Sequence, residues 1–188
     1  ASFHENFPLV QLSLMNGNTE LIEQNVLAKN IDLGIVEGKK HHTGLKYTDF
    51  MEDELVAVVH ANSRLASKVL INLDDLSTVP LVLRERGSGT LEVIESALKD
   101  RGIRITSLPI IMHLGSTESI KSFLEHSNSM SFISIKAIEK EVSQGKLKII
   151  NIEGFRIFRK FSFVCLQGQQ DGLSTTFMRF ANRHYNKK

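Results

Sequence analysis

The sequence predicts an α/β protein with mostly parallel sheets. Two observations carry this. Short apolar runs alternate along the chain with stretches whose apolar residues recur at helical spacing, and strands alternating with helices build parallel sheets covered on both faces. No fixed-period repeat, low-complexity tract or charge block interrupts the alternation.

The elements follow in order. Val10 to Leu14 alternates apolar and polar residues, which suits a strand. Thr19 to Asn30 places Leu21, Ile22, Val26 and Leu27 on one helical face, with Glu20 and Glu23 in the first turn, where the helix dipole favours acids. Ile31–Val36, Leu55–Val59 and Leu81–Leu83 read as buried strands, with a short helical turn at Asp74-Asp75-Leu76 before Pro80. Leu91 to Arg101 is a helix stopped by Gly102. Ile110–Met112 and Met130–Ile135 are strands flanking a helix from Ser116 to His126, whose inward residues are Ile120, Phe123 and Leu124. A helix over Ala137–Gln144 ends at Gly145, strands follow at Leu147–Ile152 and Phe161–Leu166, and a last helix runs from Ser174 to Tyr185.

Composition bounds the class. The 188 residues suffice for one domain or two small lobes, and 41% hydrophobic with 23% charged residues is ordinary for a soluble globular chain. No run approaches the ~18 apolar residues of a membrane span, and the first residues lack the pattern of a signal peptide. The net charge of +2 is scattered, without the basic stripe of a nucleic-acid surface. The single cysteine, Cys165, lies in an apolar run and reads as a buried thiol in a reduced, cytoplasmic setting.

Three times, a strand runs into a glycine-containing turn that opens a helix with a hydroxyl residue: Gly17-Asn18-Thr19, Gly87-Ser88-Gly89-Thr90 and Gly115-Ser116-Thr117. Ligands of open parallel sheets bind beyond the carboxyl ends of the strands. There the free N–H groups and the dipole of a helix start attract anions, glycine admits close approach, and Ser or Thr adds a donor. Any one such turn is also an ordinary N-cap, worth about 1 kcal/mol. A helix terminus gives an exposed anion roughly 0.3–1 kcal/mol, whereas a micromolar site needs about 8 kcal/mol. An anion site therefore requires several turns to converge.

Other motifs carry less. Gly87–Glu92 lacks the third glycine of a dinucleotide fingerprint and the Gly-Lys-Ser/Thr of a phosphate loop, and no nucleophile elbow or His-Glu-x-x-His occurs. Nothing implies a cofactor. His41-His42 beside Lys39-Lys40 has no partner at ligand spacing and reads as solvated loop, so no metal site is expected. His113 reads as a strand residue, with Glu37 the other candidate base should the chain be an enzyme.

These residues resemble a known family. Phe7-Pro8-Leu9-Val10, Gly17-Asn18-Thr19 and Ile31-Asp32-Leu33-Gly34-Ile35-Val36-Glu37-Gly38 are similar to the start of LysR-type effector-binding domains. Asp53-Glu54-Leu55-Val56, Pro80 to Glu85 leading into Gly87-Ser88-Gly89-Thr90, Gly115 to Lys121, Ser131-Phe132-Ile133-Ser134 and Gly145-Lys146-Leu147 follow in the family's order. The Arg-Glu-x-Gly-Ser-Gly-Thr form is similar to the branch of sulfur-assimilation and carbon-fixation regulators.

The resemblance implies a type II periplasmic-binding-protein-like fold: two lobes, 1–85 with 162–188 and 86–161, joined by two crossing strands. It implies a non-enzymatic module that binds a small effector between the lobes. Asn18 and Thr19 would act from the first lobe, Ser88, Gly89, Thr90, Ser116 and Thr117 from the second, with Glu37 and Phe132 as walls. It also implies a homodimer or tetramer that meets promoter DNA only through an N-terminal winged helix-turn-helix not contained in this chain, and no membrane partner. Residues that would supply the family's first strand are not seen before Ala1. His126-Ser127-Asn128-Ser129 stands where relatives carry a glycine-rich turn, and one cysteine does not fit the two-cysteine peroxide-sensing branch. A periplasmic solute-binding protein of the same fold is the alternative.

Overall fold

The computed structural model describes residues 1–38, 42–68, 70–168 and 172–185. Its contacts divide the chain into two units, residues 1–51 with 160–188 and residues 52–159. The chain passes from one unit to the other twice, each time inside a long strand: β2 (Leu45–His60) and β8 (Ile157–Leu166).

The first unit holds α1 (Ser2–Asn6), α2 (Thr19–Leu27), β1 (Gly34–Glu37) and α6 (Gly172–Tyr185), with the outer parts of β2 and β8. β1 pairs antiparallel with β8, from Gly34 opposite Val164 to Glu37 opposite Phe161. Ile22 and Val26 of α2 pack on Val36, Leu45 and Val164. Gly34 permits this approach: a Cβ there would lie 2.5 Å from Ile22 Cγ2 and 2.7 Å from Val164 Cγ1. Phe3 of α1 closes a second patch against Phe177 and Phe180 of α6, with ring centroids at 4.9 and 5.3 Å.

The second unit holds β3 (Leu70–Ile71), β4 (Leu81–Arg84), α3 (Gly89–Lys99), β5 (Ile110–Leu114), α4 (Thr117–Leu124), β6 (Met130–Ser134), α5 (Glu139–Ser143) and β7 (Leu147–Ile152). β4 lies parallel to both β5 and β6, and β3 parallel to β7. β2 pairs antiparallel with β6 and β7. Alternation along the strands feeds two apolar clusters. Leu81, Leu83, Met130 and Phe132 meet Leu91, Ile94 and Leu98 of α3. Val82, Val58 and Ile133 meet Ile120 and Leu124 of α4. At roughly 1.5–3 kcal/mol per fully buried large aliphatic side chain, these two layers hold α3 and α4 in place.

The α/β class and the two linking strands agree with the sequence reading, but strand direction is mixed rather than mostly parallel. The antiparallel pairs are those made by the two linking strands: β2 with β6 and β7, and β8 with β1. The unit boundary also differs from a split after residue 85. Leu55–Val59 pairs with β6 and β7, so it packs with the later residues. Val10–Leu14 forms no strand: alternation supplies a strand's side chains, but no neighbouring strand supplies hydrogen bonds. Leu9 and Leu14 are instead 97% and 88% exposed. Cys165 is buried, as its apolar setting predicts.

Candidate functional site

In the second unit, two helix starts stand side by side. β4 and β5 are parallel neighbours, with Leu83 opposite His113 and Arg84 opposite Leu114. Each runs directly into a turn and a helix, so the turns at 85–88 and 115–116 leave the same end of the sheet. His113 Nδ1 lies 2.8 Å from the Arg84 carbonyl oxygen and ties the two strand ends together. This is a strand-to-strand contact.

The residues of the two turns behave differently. Gly87 has φ of 81°, a left-handed conformation that favours glycine. Ser88 is the N-cap of α3, is 1% exposed, and makes no side-chain cap hydrogen bond. Gly89 and Thr90 are buried in the first turn of α3. Ser116 is an ordinary cap: its Oγ accepts from the Ser119 amide at 3.1 Å. Thr117 is half-buried at the start of α4.

Behind α3 lies a buried polar network that sequence reasoning missed. Arg159 donates through Nε to Asp53 Oδ2 at 2.8 Å, and its Nη2 lies 2.7 Å from the same oxygen. Arg159 Nη1 donates to Thr90 Oγ1 at 3.0 Å. Ser134 Oγ donates to Asp53 Oδ1 at 2.9 Å. The side chains of Arg159 and Asp53 are 8% and 1% exposed. They lie 106 positions apart, and no spacing or motif in one sequence connects them. The usable signal is that the two strand runs carry opposite charges, Asp53-Glu54 in 53–59 and Arg159-Lys160 in 157–166, since buried charges occur in pairs.

In the first unit, Asn18 is the N-cap of α2 and its Oδ1 accepts from the Leu21 amide at 3.0 Å. Thr19 Oγ1 donates to the Glu37 carbonyl oxygen at 2.9 Å. Asn18, Thr19 and Glu37 are thus brought together, joined by backbone as much as by side chains. Beside them Glu23 is buried, accepts from Tyr47 Oη at 2.7 Å, and lies 3.6 Å from His42 Nε2. Lys39, Lys40 and His41 lie outside the described residues. Among the described residues, no three His, Cys, Asp or Glu side chains converge as a metal site.

Phe132 belongs to the apolar core of the second unit, edge-on to Phe155 with centroids 6.4 Å apart. It also lines a hollow of about 720 Å3 with Leu55, Ile150, Arg101 and Arg156. On the α4 side, Lys121 Nζ lies 2.8 Å from Glu118, 2.9 Å from Glu141 and 3.2 Å from the Ala137 carbonyl oxygen. Burial pulls the Lys121 pKa down, but hydrogen bonds to Glu118 and Glu141 prevail and raise it. The hydrogen bond from Lys121 holds Glu141 below its ordinary value.

A mixed α/β unit with paired helix starts at the ends of parallel strands, linked by two strands to a second unit, is consistent with the type II periplasmic-binding-protein fold. The family model named LysR substrate binding domain matches residues 1–186, and the chain belongs to that family. It is 31% identical over 180 residues to the uncharacterized HTH-type transcriptional regulator YeiE of Escherichia coli (strain K12), covering 96% of this chain and 59% of that protein. The chain spans somewhat over half the length of the curated relatives it matches. The CcmR regulatory domain of Synechocystis PCC6803, solved in complex with 2-PG, is similar at a TM-score of 0.85 and 26% identity, covering 97% of this chain and 87% of that one. A Clostridium perfringens protein assigned as a phosphate ABC transporter substrate-binding protein, with bound phosphate, shares the fold. Its TM-score is 0.79 at 16% identity, over 95% of this chain and 84% of that one. Among the described residues no helix is long and apolar enough to cross a membrane.

Proposed function

We propose that this chain is the effector-sensing module of a LysR-type transcription regulator and takes a small anionic metabolite at the turns 88–90 and 116–117. One observation carries the reading: β4 and β5 are parallel neighbours that each open a helix at the same sheet end, so the positive ends of two helix dipoles can serve one anion. Ser88, which makes no cap bond, is the hydroxyl to expect on the ligand. The family match and the regulator relatives favour this over a solute-binding protein. No enzymatic step enters the reading. The longer regulator meets DNA through another domain and works in the cytoplasm.

Calorimetry with 2-PG and with inorganic sulfate tests the site. Replacing a hydroxyl that bonds an anion costs about 1.5–3 kcal/mol, roughly 10- to 100-fold in affinity. Ser88→Ala and Thr117→Ala are expected to show that loss. Unchanged affinity in both overturns the site.

Homodimerisation is part of the same reading. Leu9, Leu12 and Leu14 in the first unit and Ile111 and Met112 in the second are exposed, and apolar rows of this kind mark interfaces. Sedimentation of Leu14→Asp and Ile111→Asp is expected to give monomers where the unaltered chain gives dimers.

A further inference from the structure

The network behind α3 joins four elements at particular places. Asp53 lies in β2, two residues past the point where the chain enters the second unit, and Arg159 in β8 is the last residue before it leaves. Ser134 ends β6, and Thr90 is in the first turn of α3. Arginine only donates, so the Thr90 oxygen is an acceptor toward Arg159. A single rigid guanidinium therefore grips a carboxylate of one linking strand and the hydroxyl of the helix start while itself belonging to the other linking strand.

We propose that Arg159 is a positioning residue for the effector turn: it holds Thr90 from behind and, with Asp53, ties that turn to both strands through which the chain passes between its units. The proposal rests on the reading of residues 88–90 as an effector turn and adds how occupancy is passed on. A ligand that shifts α3 by a few tenths of an ångström loads or unloads the Thr90–Arg159 bond. Because the guanidinium is planar and already committed to Asp53, the displacement goes into β2 and β8 rather than into side-chain rotation. Among the described residues, the side-chain bonds of Ser116 stay within its own turn, with Ser119, so the two turns divide the work. The α4 turn binds, and the α3 turn both binds and reports.

Hydrogen exchange of the ligand-free chain tests this without any effector. Thr90→Val removes the hydroxyl and keeps the shape. It is expected to speed exchange of the amides near 52–54 and 158–160 by fivefold or more, whereas Thr117→Val leaves them unchanged. Arg159→Lys keeps a cation for Asp53 but cannot span both partners. It is expected to reproduce the Thr90→Val pattern, and the double variant is expected to add nothing further. Equal effects of the two threonine variants, no effect at the linking strands, or additive effects in the double variant each overturn the proposal. Failure of sulfate and 2-PG to bind the unaltered chain counts against the effector reading instead, so the two failures are distinct.

Discussion

The helix starts of the two units carry the same sequence signal and use it differently. In the first unit, Asn18 caps its own helix and Thr19 bonds the carbonyl of Glu37, so both polar groups hold local structure. In the second, Ser116 caps but Ser88 does not, and Thr90 is bonded to a guanidinium 69 positions away. A glycine followed by hydroxyl residues thus specifies a helix start, while the packing behind that start decides whether its donors serve the fold or a ligand.

The largest test of this contrast is Asp53→Ala. It leaves Arg159 buried without its counterion and is expected to cost about 3–5 kcal/mol in urea unfolding. Glu37→Ala in the first unit keeps the Thr19 bond, because Thr19 uses the backbone oxygen there, and is expected to cost less than Asp53→Ala. Next comes Gly34→Ala, which drives a methyl into Ile22 and Val164 and is expected to cost about 1–3 kcal/mol. Asn18→Ala and Ser116→Ala should each lose about 1 kcal/mol as caps, and Ser88→Ala about half that or less. A Ser88→Ala loss equal to that of Ser116→Ala would erase the distinction between the α3 and α4 turns.

The smallest effect is on pH dependence. Glu141 has a lowered pKa in the folded chain, so its pairing with Lys121 stabilises above the ordinary 4.5 and is lost as pH falls through the lowered value. Lys121 is raised, so its share is present below 10.5 and is lost only as pH climbs past the raised value. Glu141→Gln is expected to flatten the acid limb of a stability–pH curve. An unaltered limb would place that dependence on other carboxylates.

The sequence made legible what repeats at short range. The periodicities at Leu91–Arg101 and Ser116–His126 locate α3 and α4 to within two residues, and the glycine turns locate their starts. The strand over 147–152 matches residue for residue. What stayed hidden depends on distant partners. Residues 45–54 carry too many charges to read as strand, yet they extend β2 to sixteen residues. Val10–Leu14 has the alternation and lacks the neighbour. Phe132, a pocket wall by likeness, packs in the core and also lines the hollow with Leu55 and Ile150, a double placement that only the covering of β6 on both faces shows. The Arg159–Asp53–Thr90 bonds join residues that only the folded chain brings together.

The order of segments also governs synthesis. Residues 52–159 are continuous, so the second unit has all its strands once Arg159 has left the ribosome. β1 must wait for its neighbour, since Gly34 pairs with Val164. During that interval α2 and β1 hold an apolar face without its covering strand, and residues 1–51 are the part of the nascent chain a chaperone would meet.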